Sequence, residues 1–296
     1  MAGGGPCRRL GCRSSGHRRC AACRQAGLRG AARRRSNRSR GGTCPSAADN
    51  HRPYMRTHAM SVEFDKAEVM TFDCYGTLID WESGLLSVLQ PWLREAGVAV
   101  PDDIVLLVFG MYSERYTQMR PALLYPEVLR RSWLDIQRHF GIPLNEEQAV
   151  EFSKSAGTWP AFADSPAALN ALAKKYKLII LSNIDNASIA QSQKTLDAPF
   201  HAVVTAEQVG SYKPEKRHFH RAIELLAKEG IDKSKIIHVG QSRFHDIEPA
   251  RELGIPSVFV YRRHKKGGTG ASIAADVVED LLVNSMQELA EAAGCA

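Results

Sequence analysis

Five short apolar runs, four of them followed by a longer amphipathic stretch, constrain this chain more than any other feature of its sequence. The runs are Glu68–Asp73, Lys177–Asn183, Ala202–Thr205, Lys235–Gly240 and Ser257–Tyr261. Each is long enough for a strand and too short for a stable helix, and the alternation with helical patterns argues for an α/β domain with a mostly parallel sheet. Helical spacing over Asn186–Leu196, Pro214–Glu229, Asp246–Leu253 and Ser285–Ala293 supplies the connections, with stops marked by Gly230 and by Gly254–Pro256.

Between the first and second runs the texture changes. Residues 82–159 contain no β-like run and read as helices over Glu82–Ala96, Asp103–Gln118, Pro126–Phe140 and Glu146–Thr158. Tyr125, Val128, Leu129, Trp133 and Ile136 mark one buried face. A helical insertion beside a strand tip would cover a site there, because open α/β sheets bind ligands beyond the carboxyl ends of their strands. The expected division is a tail over 1–59, a core over 60–81 and 160–296, and the insertion over 82–159.

The tail sets the charge. The formal net charge of +7 arises from residues 1–59, where fourteen arginines face a single aspartate, Asp49, so the remainder of the chain is acidic. The pI is therefore no argument for nucleic-acid binding by the folded part. With little apolar bulk and no periodicity, the tail is expected to be disordered. Three readings of it stay open: an upstream stretch with Met60 or Met55 as the true start, an Arg- and Ser-rich transit peptide, or a basic arm for RNA or membrane.

Five of the seven cysteines lie in that tail, and its Cys20-x-x-Cys23 spacing has no second pair to complete a zinc site. Cys74 and Cys295 are too few for a disulfide framework, which suits a reducing cytoplasm. No run of about 18 apolar residues predicts a membrane span.

Polar residues at the strand ends point to one site. Asp73 ends the first run, Ser182 and Asn183 end the second, Lys213 follows the third in GSYKPE, and Gln241 and Asp246 follow the fourth. A parallel sheet brings these ends to one edge.

Phe72-Asp73-Cys74-Tyr75-Gly76-Thr77-Leu78, Leu181-Ser182-Asn183, Tyr212-Lys213-Pro214 and His238-Val239-Gly240 through Asp246 resemble, in order, the four motifs of the haloacid dehalogenase superfamily. Within it, D-x-Y-G-T resembles the type II L-2-haloacid dehalogenases. The resemblance spans roughly Val69 to Ala293 and implies a Rossmannoid core with residues 82–159 as its helical cap. It implies Asp73 as an ester-forming nucleophile and Thr77, Ser182, Asn183, Lys213 and Asp246 as its catalytic companions.

The chemistry of these residues leads the same way. An aspartate nucleophile splits one hard hydrolysis into two steps. In the superfamily's phosphatases an acid two residues later protonates the leaving alcohol; Tyr75, a phenol of pKa about 10, is a poor donor at neutral pH. A halide leaves as a stable anion and needs no proton. The phosphatases also hold Mg²⁺ through a G-D-x-x-x-x-D motif, which here reads Gly240-Gln241-Ser242-Arg243-Phe244-His245-Asp246. Replacing an acid by Gln241 and adding Arg243 weakens such a site, so no metal or other cofactor is expected. Lys213 is expected to keep Asp73 ionised instead.

The substrate pocket departs from the type II pattern. The arginine of an R-Q-x-Q-like cap segment is absent; the comparable stretch is Phe109-Gly110-Met111-Tyr112-Ser113-Glu114-Arg115-Tyr116. Arg115 and Arg120 are candidate substitutes, and Tyr75, Arg115, Gln241 and Arg243 are the expected substrate-binding residues. The leading expectation is a cytoplasmic hydrolase cleaving the carbon–halogen bond of short (S)-2-haloacids to 2-hydroxy acids. It acts on a small anionic molecule, without nucleic-acid or membrane partners, and a homodimer is allowed for. The alternatives are a phosphatase or other hydrolase of the superfamily, or a catalytically weak binding protein of that fold.

Overall fold

In the computed structural model, which describes residues 61–267 and 270–295, six strands form one parallel sheet. They are β1 (Val69–Phe72), β2 (Lys177–Ser182), β3 (Phe200–Thr205), β4 (Ile236–Gly240), β5 (Ser257–Val260) and β6 (Leu281–Val283), in the order β3-β2-β1-β4-β5-β6. The chain extends from β1 to one side and then restarts on its other flank with β4. A crevice is thereby opened at the carboxyl ends of β1 and β4, the switch point where such sheets take ligands. Phe72 lies beside Ile180 of β2 and Val239 of β4, so β1 ends level with both neighbours. The expected disorder of residues 1–59 lies outside the described residues.

Alternate side chains of the central strands enter two apolar layers, as the two-residue period of a strand requires. Met70, Phe72, Leu178, Ile180, Ile237 and Val239 face one layer; Val69, Ile179, Leu181 and Ile236 face the other. The second layer is closed by Phe219, Ala222 and Leu226 of α8 (Arg217–Ala227) and by Ala250 of α9 (Glu248–Glu252). The first is continuous with the core of α1 (Trp81–Glu95), α2 (Asp102–Thr117), α3 (Tyr125–His139) and α4 (Glu146–Ser153), which all lie between β1 and β2. Burial on both sheet faces is what makes the strands read as unbroken apolar runs.

The helical segment leaves and rejoins the sheet at one place. Ile79 and Ala161 pair antiparallel, the Asp80 amide donates to the Pro160 carbonyl at 2.8 Å, and the Phe162 amide donates to the Leu78 carbonyl at 3.0 Å. Asp80 then caps α1, its carboxylate accepting from the Ser83 amide at 3.2 Å.

Most expected elements are present, with α6 (Asn186–Leu196) at the expected bounds. The stretch expected as helix from Pro214 begins at Arg217, because Pro214 belongs to the loop that carries Lys213. Helix α4 stops at Ser153, and the remainder tightens into a 3₁₀ turn over Ala156–Thr158. Three elements had no predicted counterpart: α5 (Ser165–Leu172), the single turn α7 (Ala206–Val209) and the edge strand β6. The last helix, α10 (Met286–Ala292), was expected. Among the described residues no helix is long and apolar enough to cross a membrane.

Candidate active site

The amide of Asp73 is the last to join the sheet, donating to the Val239 carbonyl at 2.9 Å, and its side chain stands at the crevice with only 8% of its surface exposed. The chain then turns through Gly76 at φ +102°, a conformation that favours glycine, and Thr77 comes back under the carboxylate. The Thr77 hydroxyl donates to Asp73 Oδ2 at 2.8 Å and accepts from the Gln241 amide at 2.9 Å. The end of β4 is thus tied to the turn after β1.

Lys213 reaches the other oxygen. Its ammonium donates to Asp73 Oδ1 at 2.9 Å, to Asp246 Oδ1 at 2.7 Å and to the Leu181 carbonyl at 2.7 Å. All three of its protons are engaged. Asn183 fixes the loop behind it: Oδ1 accepts from the Lys213 amide at 2.6 Å and Nδ2 donates to the Lys213 carbonyl at 3.0 Å. Asp246 arrives from a π-helical turn over Arg243–Ile247 after β4. Gly240 permits this approach, since a Cβ there would lie 2.6 Å from the Asp246 side chain. The Ser242 amide donates to Asp246 Oδ2 at 3.2 Å, and His238 Nε2 lies 3.5 Å from Oδ1.

Two carboxylates therefore share one ammonium in a nearly dry site, and their titrations diverge. Asp73 is raised above the ordinary aspartate range by burial first and by the charge of Asp246 second; Lys213 and Thr77 pull it back incompletely. For Asp246, burial is outweighed by Lys213 and His238, so it stays well below that range. Lys213 is itself held above the ordinary lysine range, the two carboxylates overcoming its burial.

A cavity of about 110 Å³ opens over these groups, roofed by α2 and by the strap Ala271–Ile273. Asp73, Tyr75, Ser182, Asn183, Lys213, Gln241 and Asp246 all line it. The Ser182 hydroxyl is buried there without a hydrogen-bond partner. Thr77 supports the Asp73 carboxylate from beneath.

Tyr75 contributes its ring, not its hydroxyl. The hydroxyl is 2.7 Å from Ser192 Oγ on α6, and the ring meets Trp159 edge-on at 5.9 Å. Burial foremost pushes the phenol far above its usual range.

Two expected substrate-binding arginines do not reach the cavity. Helix α2 turns Gly110, Ser113, Glu114 and Thr117 inward at i, i+3, i+4 and i+7, which leaves Arg115 on the outer face, exposed and over the Tyr116 ring. Arg120 is bound by the Thr117 and Met119 carbonyls and by Glu215. Arg243 makes a bidentate pair with Glu279 at 2.9 Å and stacks on Phe259, 4.2 Å from its centroid. Trp81 lines the cavity, while Trp133 and Trp159 are buried in the core.

The donor set does not fit Mg²⁺. Asp73 and Asp246 are bridged by the Lys213 ammonium. Their second oxygens are engaged by Thr77 and the Ser242 amide, and Gln241 Oε1 accepts from the Ser272 hydroxyl at 3.2 Å. Among the described residues no cluster of three or more His, Cys, Asp or Glu is arranged to hold a metal ion.

Sequence reasoning missed Glu114, Ser242, His245 and the strap. Ser242 and His245 lie inside the fourth motif and were within reach of it. Glu114 needed the phase of α2, and Ala271–Ile273 follow a glycine-rich loop with no signal of their own.

The haloacid dehalogenase-like hydrolase family model matches residues 67–254. A glyceraldehyde 3-phosphate phosphatase of Methanocaldococcus jannaschii is 28% identical over 111 residues, 36% of this chain and 45% of that protein. Haloacid dehalogenase-like hydrolase domain-containing protein 3 of Bos taurus is 31% identical over 121 residues, covering 40% of this chain and 46% of the relative. The chain thus spans less than half the length of either curated relative. The L-2-haloacid dehalogenase of Xanthobacter autotrophicus shares the fold, with a TM-score of 0.63 and 17% identity over 76% of this chain and 97% of that one. The match to the family model and the site at the β1–β4 crevice together place the chain in the haloacid dehalogenase-like hydrolase family.

Proposed function

We propose that the protein hydrolyses the carbon–halogen bond of short (S)-2-haloacids, with residues 82–159 as the cap over the nucleophile. The observation that carries this reading is the orientation of Tyr75: the position that supplies a proton to a leaving alcohol in phosphatases holds a phenol bonded away to Ser192. The reaction best served is one whose leaving group departs as a stable anion.

A carboxylate oxygen of Asp73 attacks the carbon bearing the halogen, forming a carbon–oxygen bond as the halide leaves with the bonding pair, with inversion. Lys213 and Thr77 hold the carboxylate for in-line attack. Water then adds to the ester carbonyl, the acyl–oxygen bond breaks, and the products are a 2-hydroxy acid, a proton and free Asp73. The unpartnered Ser182 hydroxyl is a donor for the substrate's own carboxylate.

A second reading, phosphate-ester hydrolysis, is favoured by one observation: the His245 imidazole lines the cavity and could donate a proton. Halide release from L-2-chloropropionate, measured against phosphate release from an aryl phosphate with and without Mg²⁺, separates the two. The expected result is halide release indifferent to Mg²⁺, with Tyr75→Phe within about threefold of the parent, since no proton transfer is lost. Mg²⁺-dependent phosphate release in place of halide release would sink the proposal.

The direction of the Asp73 shift adds a pH prediction. Only the ionised carboxylate attacks, and its pKa in the fold is raised. The acid limb of kcat/KM should therefore have its midpoint above the pH of about 4 set by an ordinary aspartate. A pH–rate profile for halide release reads it directly; a midpoint at or below that value contradicts the geometry of two carboxylates on one ammonium.

A further inference from the structure

The cavity wall opposite the sheet carries a charge of the wrong sign for an anion-binding pocket. Glu114 Oε1 accepts from Gln118 Nε2 at 2.8 Å, and Oε2 faces His245 Nε2 across the cavity mouth at 3.5 Å. His245 Nδ1 is in turn 3.1 Å from the Ser242 hydroxyl. Burial would raise the Glu114 carboxyl, but the hydrogen bond and charge of His245 overcome it and hold the group below the usual glutamate range.

The His245 imidazole that offsets this charge is engaged with Glu114 itself, and among the described lining residues no cationic side chain is left over for a ligand. The charged and titratable side chains of the cavity are three carboxylates (Asp73, Glu114, Asp246), one ammonium (Lys213), one imidazole (His245) and two phenols (Tyr75, Tyr125). Every Lys213 proton is committed. Arg115, on the roof helix itself, lies on its outer face over the Tyr116 ring, and Arg243 is paired with Glu279, Arg262 with Asp164, and Arg263 with Glu82 and Asp103. At Gly110, one turn before Glu114, any side chain would meet the Ala271 carbonyl at 2.8 Å, so the strap leaves no space for a longer cationic residue.

We infer that Glu114 is a specificity-determining residue, whose carboxylate admits a short monoanionic acid and turns away dianions, phosphate monoesters among them. A second negative charge on the ligand would lie in a small, largely desolvated cavity beside a fixed carboxylate, where repulsion is poorly screened. The inference rests on reading the site as one for short monoanionic acids.

The test compares the full-length parent with Glu114→Gln and Glu114→Leu, using L-2-chloropropionate as the monoanion and L-2-chlorosuccinate as the dianion. Both substitutions should raise kcat/KM for chlorosuccinate relative to chloropropionate, on the order of 10- to 100-fold, as removal of one nearby like charge implies. A merely structural role would lower both substrates together and leave the ratio where it was. Titration calorimetry with lactate and malate reads the same ratio without turnover. A ratio unchanged in both measurements overturns the inference. Failure of the parent to release halide, with the malate-to-lactate ratio still rising on substitution, overturns the dehalogenase reading and leaves the filter standing.

Discussion

Asp73→Asn should abolish turnover, by on the order of 10⁴-fold or more as expected for loss of a nucleophile, and should not destabilise the protein. The second half of that expectation follows from the charge count at the site. Two carboxylates share one ammonium, and Asp73 is the member whose pKa is raised, with burial and Asp246 outweighing Lys213 and Thr77. A carboxyl whose pKa is higher in the fold than in the unfolded chain opposes folding at any pH where the unfolded chain is ionised. The amide keeps the shape, its oxygen can accept from Lys213 while its NH2 donates to the Thr77 hydroxyl oxygen, and Lys213 and Asp246 remain as a one-to-one pair. Chemical denaturation should place the variant level with the parent or above it by about 1 kcal/mol, roughly 2–4 °C in Tm for a domain of this size. The gain should grow as pH rises from about 4, where an unfolded aspartate ionises, and level off once pH passes the raised pKa of Asp73 in the fold. A loss of stability at pH 7 would mean that the ionised Asp73 stabilises the fold, against the direction of its shift. Such a residue is kept for its reactivity at some expense in stability.

Lys213→Met should do the opposite and damage both properties. Lys213 is 2% exposed, and its ammonium is the shared counter-ion of Asp73 and Asp246. Removing one partner of a buried ion pair costs about 3–5 kcal/mol, because the remaining charge is left without compensation. Here two would be left facing each other, so at least one carboxyl must take up a proton to stay in the fold. The protonated form cannot attack, and activity near neutral pH falls with it. Their folded pKa values then lie above the unfolded ones, so the lost stability should be partly regained as pH is lowered through the raised values. Urea titrations at about pH 7 and pH 5 report this: the gap between parent and variant should narrow at the lower pH. A gap that widens would show that the carboxylates are not repelling one another. In the parent, by contrast, the Lys213 contribution is fully present at neutral pH and is lost only as pH rises through its raised pKa.

The residues that were legible in the sequence are those whose position follows from a strand. Asp73, Ser182 and Asp246 sit at or just beyond apolar runs, and a parallel sheet carries them to one edge irrespective of the details of packing. Lys213 was legible from its motif, and its pairing with Asp73 is as expected. What failed was the side contributed by the helical excursion. A motif gives the order of residues on a helix but not the face it presents, and α2 hides its phase: Val105, Leu106, Val108 and Phe109 are buried, while Leu107 and Met111 are 61% and 53% exposed. With apolar residues on both faces, periodicity cannot say whether Glu114 or Arg115 points inward. Arg243 failed differently, because its partner Glu279 lies in a segment with no recognised motif. The edge strand β6 has three residues, one of them exposed, too short a run to stand out from a loop.

The pairing of Ile79 with Ala161 bears on how such a site can change. The sheet sees the whole helical excursion as a tight hairpin: its ends are hydrogen-bonded neighbours, and the span between them is the same whatever lies beyond. Helices there can lengthen, rotate or be replaced without moving β1 relative to β2, since the closure is made at the base and not by the excursion itself. Asp73 and Lys213 stand outside the excursion, whereas Glu114 belongs to it. The roles proposed for them, reactivity and selectivity, would then rest on separate mechanical supports, and one could drift while the other is held.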